Sequence, residues 1–495
     1  MSSPPRALPD HPSLRFLKLE AKRRCAAGEF SALHHAQAAI ARDHGLPDWA
    51  ALKLYIADAQ QPSHALSQLR WLLSRFSAAG RPGWTAPDDA EMRAHFADSF
   101  LAAIPAERLI KGATRLAAGL RGELTVLGQV PLQARVRIAE LEYIAQVEPD
   151  PPHRVIFLRG YPLGGRITDP RVTQSPSRGA GDVPAEMAAI ADAAFAELGL
   201  AGLITAGQNW VLARGWADLD RGEIMEPGQQ FPATGVTAAV TVTAVLRMVA
   251  DGRLSLDGRA GDYLTTVRLA DETITLRELL THTAGIDEPR PMMVPAALDL
   301  VAAMGPVIGC GGPRGVCRPS NGGLAVLGQI VADMSGSTFA VAASRLVLDP
   351  LGMTYSTFPA ARRPEMVTGY EPTVEGVFES VPPLVPLLHA AGGLWSTAAD
   401  LLRLAAGWRR LLPADLARQA LTPHASVGAQ PAEVAMGLGW LLLPGRGIAV
   451  AAGAVPGFTT CLLTGTRAEH LHLTFTNRLI PLDRITQPVQ RLWGA

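Results

Sequence analysis

Lysine is nearly missing from this chain. Its 495 residues hold Lys18, Lys22, Lys53 and Lys111 and no other, and no S-x-x-K occurs anywhere. A nucleophile activated by a lysine amine is therefore excluded from everything beyond residue 111. Cysteine is scarce: Cys25, Cys310, Cys317 and Cys461. Cys310 and Cys317 flank a Gly/Pro/Arg loop, but reduced thiols are the expectation in a cytosolic chain. A zinc site needs closer ligand spacing and a nearby His, so no metal and no cofactor is expected. An excess of one charge is also absent, with 45 Lys+Arg against 45 Asp+Glu. That balance argues against nucleic acid or an anionic membrane surface as the main partner. No run of eighteen apolar residues occurs, so no membrane span is expected. Arg6, Asp10, Arg15, Lys18, Glu20, Lys22, Arg23 and Arg24 leave no apolar signal core in the first thirty residues, and a cytoplasmic location is expected.

What is present suits a globular protein of two or three domains. The chain is 48% hydrophobic and 18% charged, enough apolar material for a large core. Residues 1–60 read as a helical module. Leu33, Ala36, Ile40, then Trp49, Leu52 and Ile56 recur at helical spacing, with Ser31 as N-cap and Gly45 as stop. Its segment HHAQAAIARDHGLPDWAALK resembles a helical module that precedes ankyrin-like and hydrolase domains in bacterial proteins. Adjacent His34 and His35 point to different helix faces and read as solvated. Residues 61–163 change to helices at about 64–79, 88–103 and 105–119, followed by alternating segments ELTVLGQV, ARVRIAELEYIAQVE and HRVIFLRGYPL. That order predicts an α+β cone. With WTAPDDAEMRAHFADSFLAAIPAERL it resembles the cystatin-like or NTF2-like domain, related to steroid isomerases, found before the β-lactamase-like domain of a clavulanate-biosynthesis protein. The stretch 164–183 is Gly/Pro/Ser/Arg-rich and reads as a linker. Residues 184–495 read as one domain. It opens with a helix at 184–198 and a hairpin turning at Gly207, Gln208 and Asn209.

The stretch Phe231–Asp257, FPATGVTAAVTVTAVLRMVADGRLSLD, organises that domain. It reads as a strand end, a tight entry and a long buried helix that stops at Gly252. It resembles the nucleophile segment of the serine β-lactamase and penicillin-binding-protein superfamily, F-x-x-x-S-x-x-K followed by an apolar helix and G-K/R-L-S-L-D. Further blocks follow in the family's order: ITLRELLTHTAGI at 274–286, PSNGGLAVLGQIVADMSG at 319–336, DPLGM at 349–353, AAGGLWSTAADLLRLA at 390–405, MGLGW at 436–440 and AAGAVPGF at 451–458. The likeness is to the class C β-lactamase and esterase branch. It implies an α+β fold, an antiparallel sheet with flanking helices and a helical subdomain.

In that family a Ser at a helix N-terminus is activated by a Lys one turn later, with a Tyr from the second motif and a His or Lys from an edge strand. The matching positions here hold Gly235, Ala238, Pro319 and Ala451; Asn321 and Gly453 are the motif residues that remain. The resemblance also places oxyanion-hole amides at Gly235 and Ala454, and side-chain loss leaves backbone donors in place. Losing such groups costs on the order of 10⁶ in turnover. The expectation is a pseudoenzyme that binds a small molecule with a carbonyl or carboxylate, or a protein partner, in a widened cleft. Gly235, Thr237, Ser320, Asn321, Trp395, Gly453 and Ala454 are the expected lining. One alternative is a repurposed biosynthetic enzyme of isomerase, cyclase or lyase type acting without an acyl-enzyme. Another is a serine hydrolase with a relocated Ser–His pair, drawing on His389, Ser320 or Tyr370. His282 reads as a structural histidine.

Overall fold

The computed structural model describes residues 14–43, 49, 52–53, 63–103, 105–116, 124–130, 133–138, 141–148, 151–162, 167–172, 175–289, 293–363, 366–373, 376–382, 385–386, 388–427, 434–466, 470–480 and 483–493. The expected helix stop at Gly45 and the helical position Ile56 lie outside them. Helices α1 (Leu14–Ala26) and α2 (Leu33–Asp43) meet through Leu17, Ala21, Ala36 and Ile40, one apolar stripe each.

Next come α3 (His64–Phe76), α4 (Asp89–His95), α5 (Asp98–Ala103) and α6 (Ala106–Leu116). Ser63 and Asp88 cap the first two, their side chains accepting from the Leu66 and Glu91 N–H groups. The expected single helix over 88–103 is two. Phe96 turns extended, and Ala97 N–H donates to the Val155 carbonyl at 2.9 Å. Burying the Phe96 ring completely outweighs continuing the helix. Strands β1 (Leu124–Val130), β2 (Gln133–Ile138), β3 (Leu141–Val147) and β4 (Val155–Pro162) form an antiparallel meander. Ala134, Val136, Ile138, Tyr143, Ala145 and Val147 alternate along β2 and β3 and pack with Leu66, Leu69, Leu72 and Phe76 of α3 in one core.

The stretch expected as a linker is corrected at one point. Ser177–Gly181 is strand β5, the edge of a ten-stranded antiparallel sheet, paired with β7. All five residues are exposed. Backbone pairing needs no apolar side chain, so a Ser/Gly/Arg sequence hides such a strand. Helix α7 (Ala185–Leu198) follows and ends at Gly199, φ 55°, as the αL stop predicts. Strands β6 (Gly202–Gly207) and β7 (Trp210–Asp218) form the expected hairpin, with β8 (Glu223–Ile224) beside β7.

The sheet runs β17 (Ala425–Ser426), β18 (Ala435–Met436), β19 (Leu441–Leu443), β20 (Ile448–Val455), β21 (Phe458–Gly465), β22 (Leu471–Thr476), β6, β7, β5. Against it lies α8 (Thr237–Ala250), buried at ten of its fourteen positions. Helices α9 (Leu276–Leu280), α10 (Leu300–Met304), α11 (Asn321–Ser335), α12 (Phe339–Ala343), α13 (His389–Gly392), α14 (Ala398–Gly407), α15 (Ala414–Ala420) and α16 (Asp483–Leu492) complete the helical layers. Short pairs pin the excursions: β9 (Phe231–Pro232) with β16 (Trp395–Ser396), β10 (Arg268–Leu269) with β12 (Val307–Ile308), β11 (Met293–Val294) with β15 (Val385–Pro386), and β13 (Tyr370–Pro372) with β14 (Phe378–Ser380). The architecture is mixed helix and antiparallel sheet, as expected. Among the described residues no single helix is long and apolar enough to cross a membrane.

Candidate functional site

Gly235 sits in a 3-10 turn, Thr234–Val236, between β9 and α8. Three bonds fix this turn: Ala233 N–H to the Leu394 carbonyl at 2.8 Å, Thr460 Oγ1–H to the Pro232 carbonyl at 2.8 Å, and Thr234 Oγ1–H to the Gly453 carbonyl at 2.9 Å. Thr234 has φ 47°, a strained value for a β-branched residue. The turn lies directly on β20. A Cβ placed on Gly235 would point at the Ala452 carbonyl group, 2.7 Å from its carbon and 3.0 Å from Gly453 Cα. A Cβ on Gly453 would lie 2.6 Å from Gly235 Cα. Real Cβ atoms do not approach backbone so closely.

This corrects the expected widened cleft at Gly235. Removing a side chain did not leave its volume open there; two glycines let the backbones close onto each other. Ala238 packs against the main core, and Ala451 lies within it, 8% exposed. Thr237 is fully buried, and its Oγ1 accepts from Leu394 N–H at 3.3 Å. Trp395 is buried and meets Phe458 edge-to-face, ring centroids 6.2 Å apart. Gly453 is half-buried and Ala454 exposed.

The second motif keeps a polar cluster. Ser320 caps α11, its Oγ accepting from Gly323 N–H at 3.0 Å. Its own N–H donates to His282 Nδ1 at 3.1 Å. His282 is buried with φ 55°, and burial lowers its pKa to about 4. Structural, as expected, it is neutral and anchors the motif. Glu288 was not singled out from sequence. Its carboxylate accepts from Asn321 N–H at 3.2 Å, with Ser320 and Gly322 on either side of that residue. Glu288 is exposed to solvent. Desolvation raises its pKa, and the polar groups of Ser320, Asn321 and Gly322 oppose the rise. Neighbouring Asp287 accepts from Gly311 N–H at 2.9 Å, and Pro319 is exposed.

The substitute catalytic groups do not assemble around Gly235. His389 opens α13, with Nε2 at 3.2 Å from the Pro359 carbonyl, so that nitrogen is committed to backbone. A depression of ≈ 390 Å³ lies beside it, lined by Thr357, Phe358, Pro359, Ala360, Ala361 and Arg363. Tyr370 is fully buried; its hydroxyl accepts from Leu219 N–H at 2.8 Å and donates to Asp218 at 3.3 Å. Burial pushes its pKa up to about 12. It is a brace at the end of β7. Among the described residues no group of three His, Cys, Asp or Glu is placed to hold a metal ion.

A family model described as Beta-lactamase matches residues 187–486. The chain is 28% identical over 317 residues to esterase EstB of Burkholderia gladioli, 53% of this chain and 80% of that one. It is 27% identical over 219 residues to the putative penicillin-binding protein PbpX of Bacillus subtilis, spanning 42% of this chain and 54% of PbpX. Among solved structures, the hydrolase EstCE1 superposes with TM-score 0.53 at 20% identity, covering 63% of this chain and 98% of the other. A penicillin-binding protein from Bacillus halodurans gives 0.52 at 20% identity, covering 63% and 100%.

Proposed function

The chain belongs to the beta-lactamase family, and from that premise we propose that it is a member that forms no acyl-enzyme at the family's nucleophile position. Its β-lactamase-like domain works by recognising a small molecule or a protein partner. The observation that carries this reading is the backbone closure at Gly235. The position lacks a hydroxyl, and the space for one is taken by Ala452 and Gly453. The absence of lysine beyond residue 111 supports it independently, because no other residue supplies a neutral amine base there. EstB and PbpX are named as an esterase and a penicillin-binding protein; this chain keeps their family's frame without its Ser, Lys, Tyr and His. On this proposal the chain comprises a helical module over 1–60, a cystatin/NTF2-like cone over 61–163 and the β-lactamase-like domain from 184. Four free thiols support a cytoplasmic location.

The test is intact-mass measurement after incubation with a fluorescent penicillin and with an activated fluorophosphonate. No adduct is expected. A stoichiometric adduct on a serine in 184–495 overturns the reading and favours a relocated nucleophile.

One observation favours a second reading, a repurposed non-covalent enzyme of isomerase, cyclase or lyase type. Glu288 is exposed, has a raised pKa and accepts from Asn321 N–H beside Ser320, features that suit a proton-transfer group. A turnover found for the wild type and lost in Glu288→Gln would establish this reading over the first.

A further inference from the structure

We propose that residues 63–162 carry an acid-released clasp, a stacked histidine pair that holds the start of α3 to the start of β4 and lets go in acid. His64 is the first residue of α3, and His153 lies in the turn before β4 with φ 56°. Their ring centroids are 3.7 Å apart and their planes 20° from parallel. Gln68, one helical turn on, extends the joint in two directions. Its Nε2 donates to the His153 carbonyl at 3.1 Å, and its Oε1 accepts from His95 Nδ1–H at 2.8 Å. His95, the last residue of α4, lies flat on Trp71 with centroids 3.5 Å apart. Three histidines on three separate segments thus meet around one glutamine.

Neutral imidazoles stack at this distance without penalty. Two imidazolium rings so placed repel each other, and the charge sits in a half-buried seam. Burial lowers the pKa of both His64 and His95, and the His153 ring lowers that of His64 further. The charged groups around the seam do not reverse this. Glu91 on α4 favours a charged His95, but its carboxylate is bound by Arg75 of α3 at 2.6 Å. Glu148 at the end of β3 pairs with Arg154 at 2.9 Å, and Asp98 of α5 pairs with Arg93 at 3.0 Å and Arg154 at 3.6 Å. Tyr143, which faces α3 from β3, is held neutral by burial.

Histidines whose folded pKa is lowered take protons more readily when released. The clasp is therefore whole above the ordinary histidine value of 6.5 and weakens as pH falls below it. Its release loosens the helix that carries Leu66, Leu69, Leu72 and Phe76 onto the sheet and bares apolar surface. The function is a pH-dependent opening of this part of the chain, independent of the β-lactamase-like site.

Hydrogen exchange of the full chain, corrected for intrinsic rate, tests this on peptides from 63–79 at pH 7.5 and 5.0. Wild-type protection should fall by about tenfold or more. His64→Phe with His153→Phe keeps a ring stack and removes both charges; its protection should change by less than about twofold. His153→Phe alone should fall in between. An equal loss in wild type and double variant, or no loss in wild type, overturns the proposal. Should the double variant be unfolded at pH 7.5, His153→Phe alone decides, because loss equal to wild type also overturns it.

Discussion

Thr234 and Gly453 join the two walls of what would be a catalytic cleft. The Thr234 hydroxyl donates to the Gly453 carbonyl at 2.9 Å, and Thr234 takes φ 47° to do so. A strained residue persists only where its surroundings over-determine it. Here the surroundings are the β9–β16 pair, the Thr460 bond to Pro232 and the Gly235–Gly453 apposition. The tight entry to α8 has been kept as a joint between layers.

That joint makes a stability prediction. Gly235→Ala adds one methyl group against the Ala452 carbonyl and Gly453 Cα. It should cost about 1–3 kcal/mol, the range for overpacking a close-fitted interior. Gly453→Ala should cost a similar amount, and the pair should be non-additive because both crowd the same contact. Gly261→Ala, where a Cβ meets nothing within 4 Å, is the control and should be close to neutral. Denaturant melts measure all four variants. A neutral Gly235→Ala would mean that the two backbones are not in contact.

Most of this frame was legible because it rests on side chains. The buried run of α8 and the turn at Gly207, Gln208 and Asn209 each left a residue-type signature. Strand β5 did not, since Ser177–Gly181 pairs through backbone alone. The closure at Gly235 was misread for a related reason. A glycine reports missing volume, but whether a neighbour has moved in depends on backbone placement. Glu288 follows the L-L-T-H-T block, but its side-chain direction cannot be read from sequence; the bond from Asn321 N–H is what ties it to the second motif. Tyr370 and His389 were grouped with the site by sequence order, and the fold sends both to other partners.

His282 yields a pH prediction. Its folded pKa of about 4 lies below the ordinary 6.5, so the unfolded chain binds the proton first. Its contribution is full above 6.5 and is lost as pH falls toward 4. A shift of that size corresponds to roughly 3 kcal/mol. His282→Gln should be less stable than wild type at pH 7.5 and show a flatter decline between pH 6.5 and 4. Denaturant melts across that range measure it, and parallel curves for the two proteins would contradict the assignment.

Tyr370→Phe separates brace from catalyst. It removes the hydroxyl that serves Leu219 N–H and Asp218 in a buried corner. A loss of about 1–2 kcal/mol is expected from the unmade hydrogen bonds. Any ligand binding or turnover found for the wild type should survive at temperatures where the variant is folded. Lost turnover in a folded variant would return Tyr370 to the site.

The strongest prediction concerns rebuilding the family's machinery. Gly235→Ser, Ala238→Lys, Pro319→Tyr and Ala451→His together restore every missing group in sequence. If those losses alone had silenced the domain, the fourfold variant should gain measurable hydrolysis of an activated ester or a penicillin. The closure argues otherwise. A serine at 235 must push β20 away before its hydroxyl meets any substrate, and a lysine at 238 must be accommodated against packed core. Histidine at 451 places an imidazole where an alanine is 8% exposed within the main cluster. Exposed Pro319 is the one position that should accept its change alone, within about 1–2 kcal/mol. The fourfold variant should therefore be strongly destabilised, forming no adduct with fluorophosphonate and showing no burst with a chromogenic ester. Single Pro319→Tyr should fold normally and remain inactive. Turnover in the fourfold variant, with an adduct mapped to Ser at 235, would show that β20 yields easily and that the chain lost its chemistry through side chains alone.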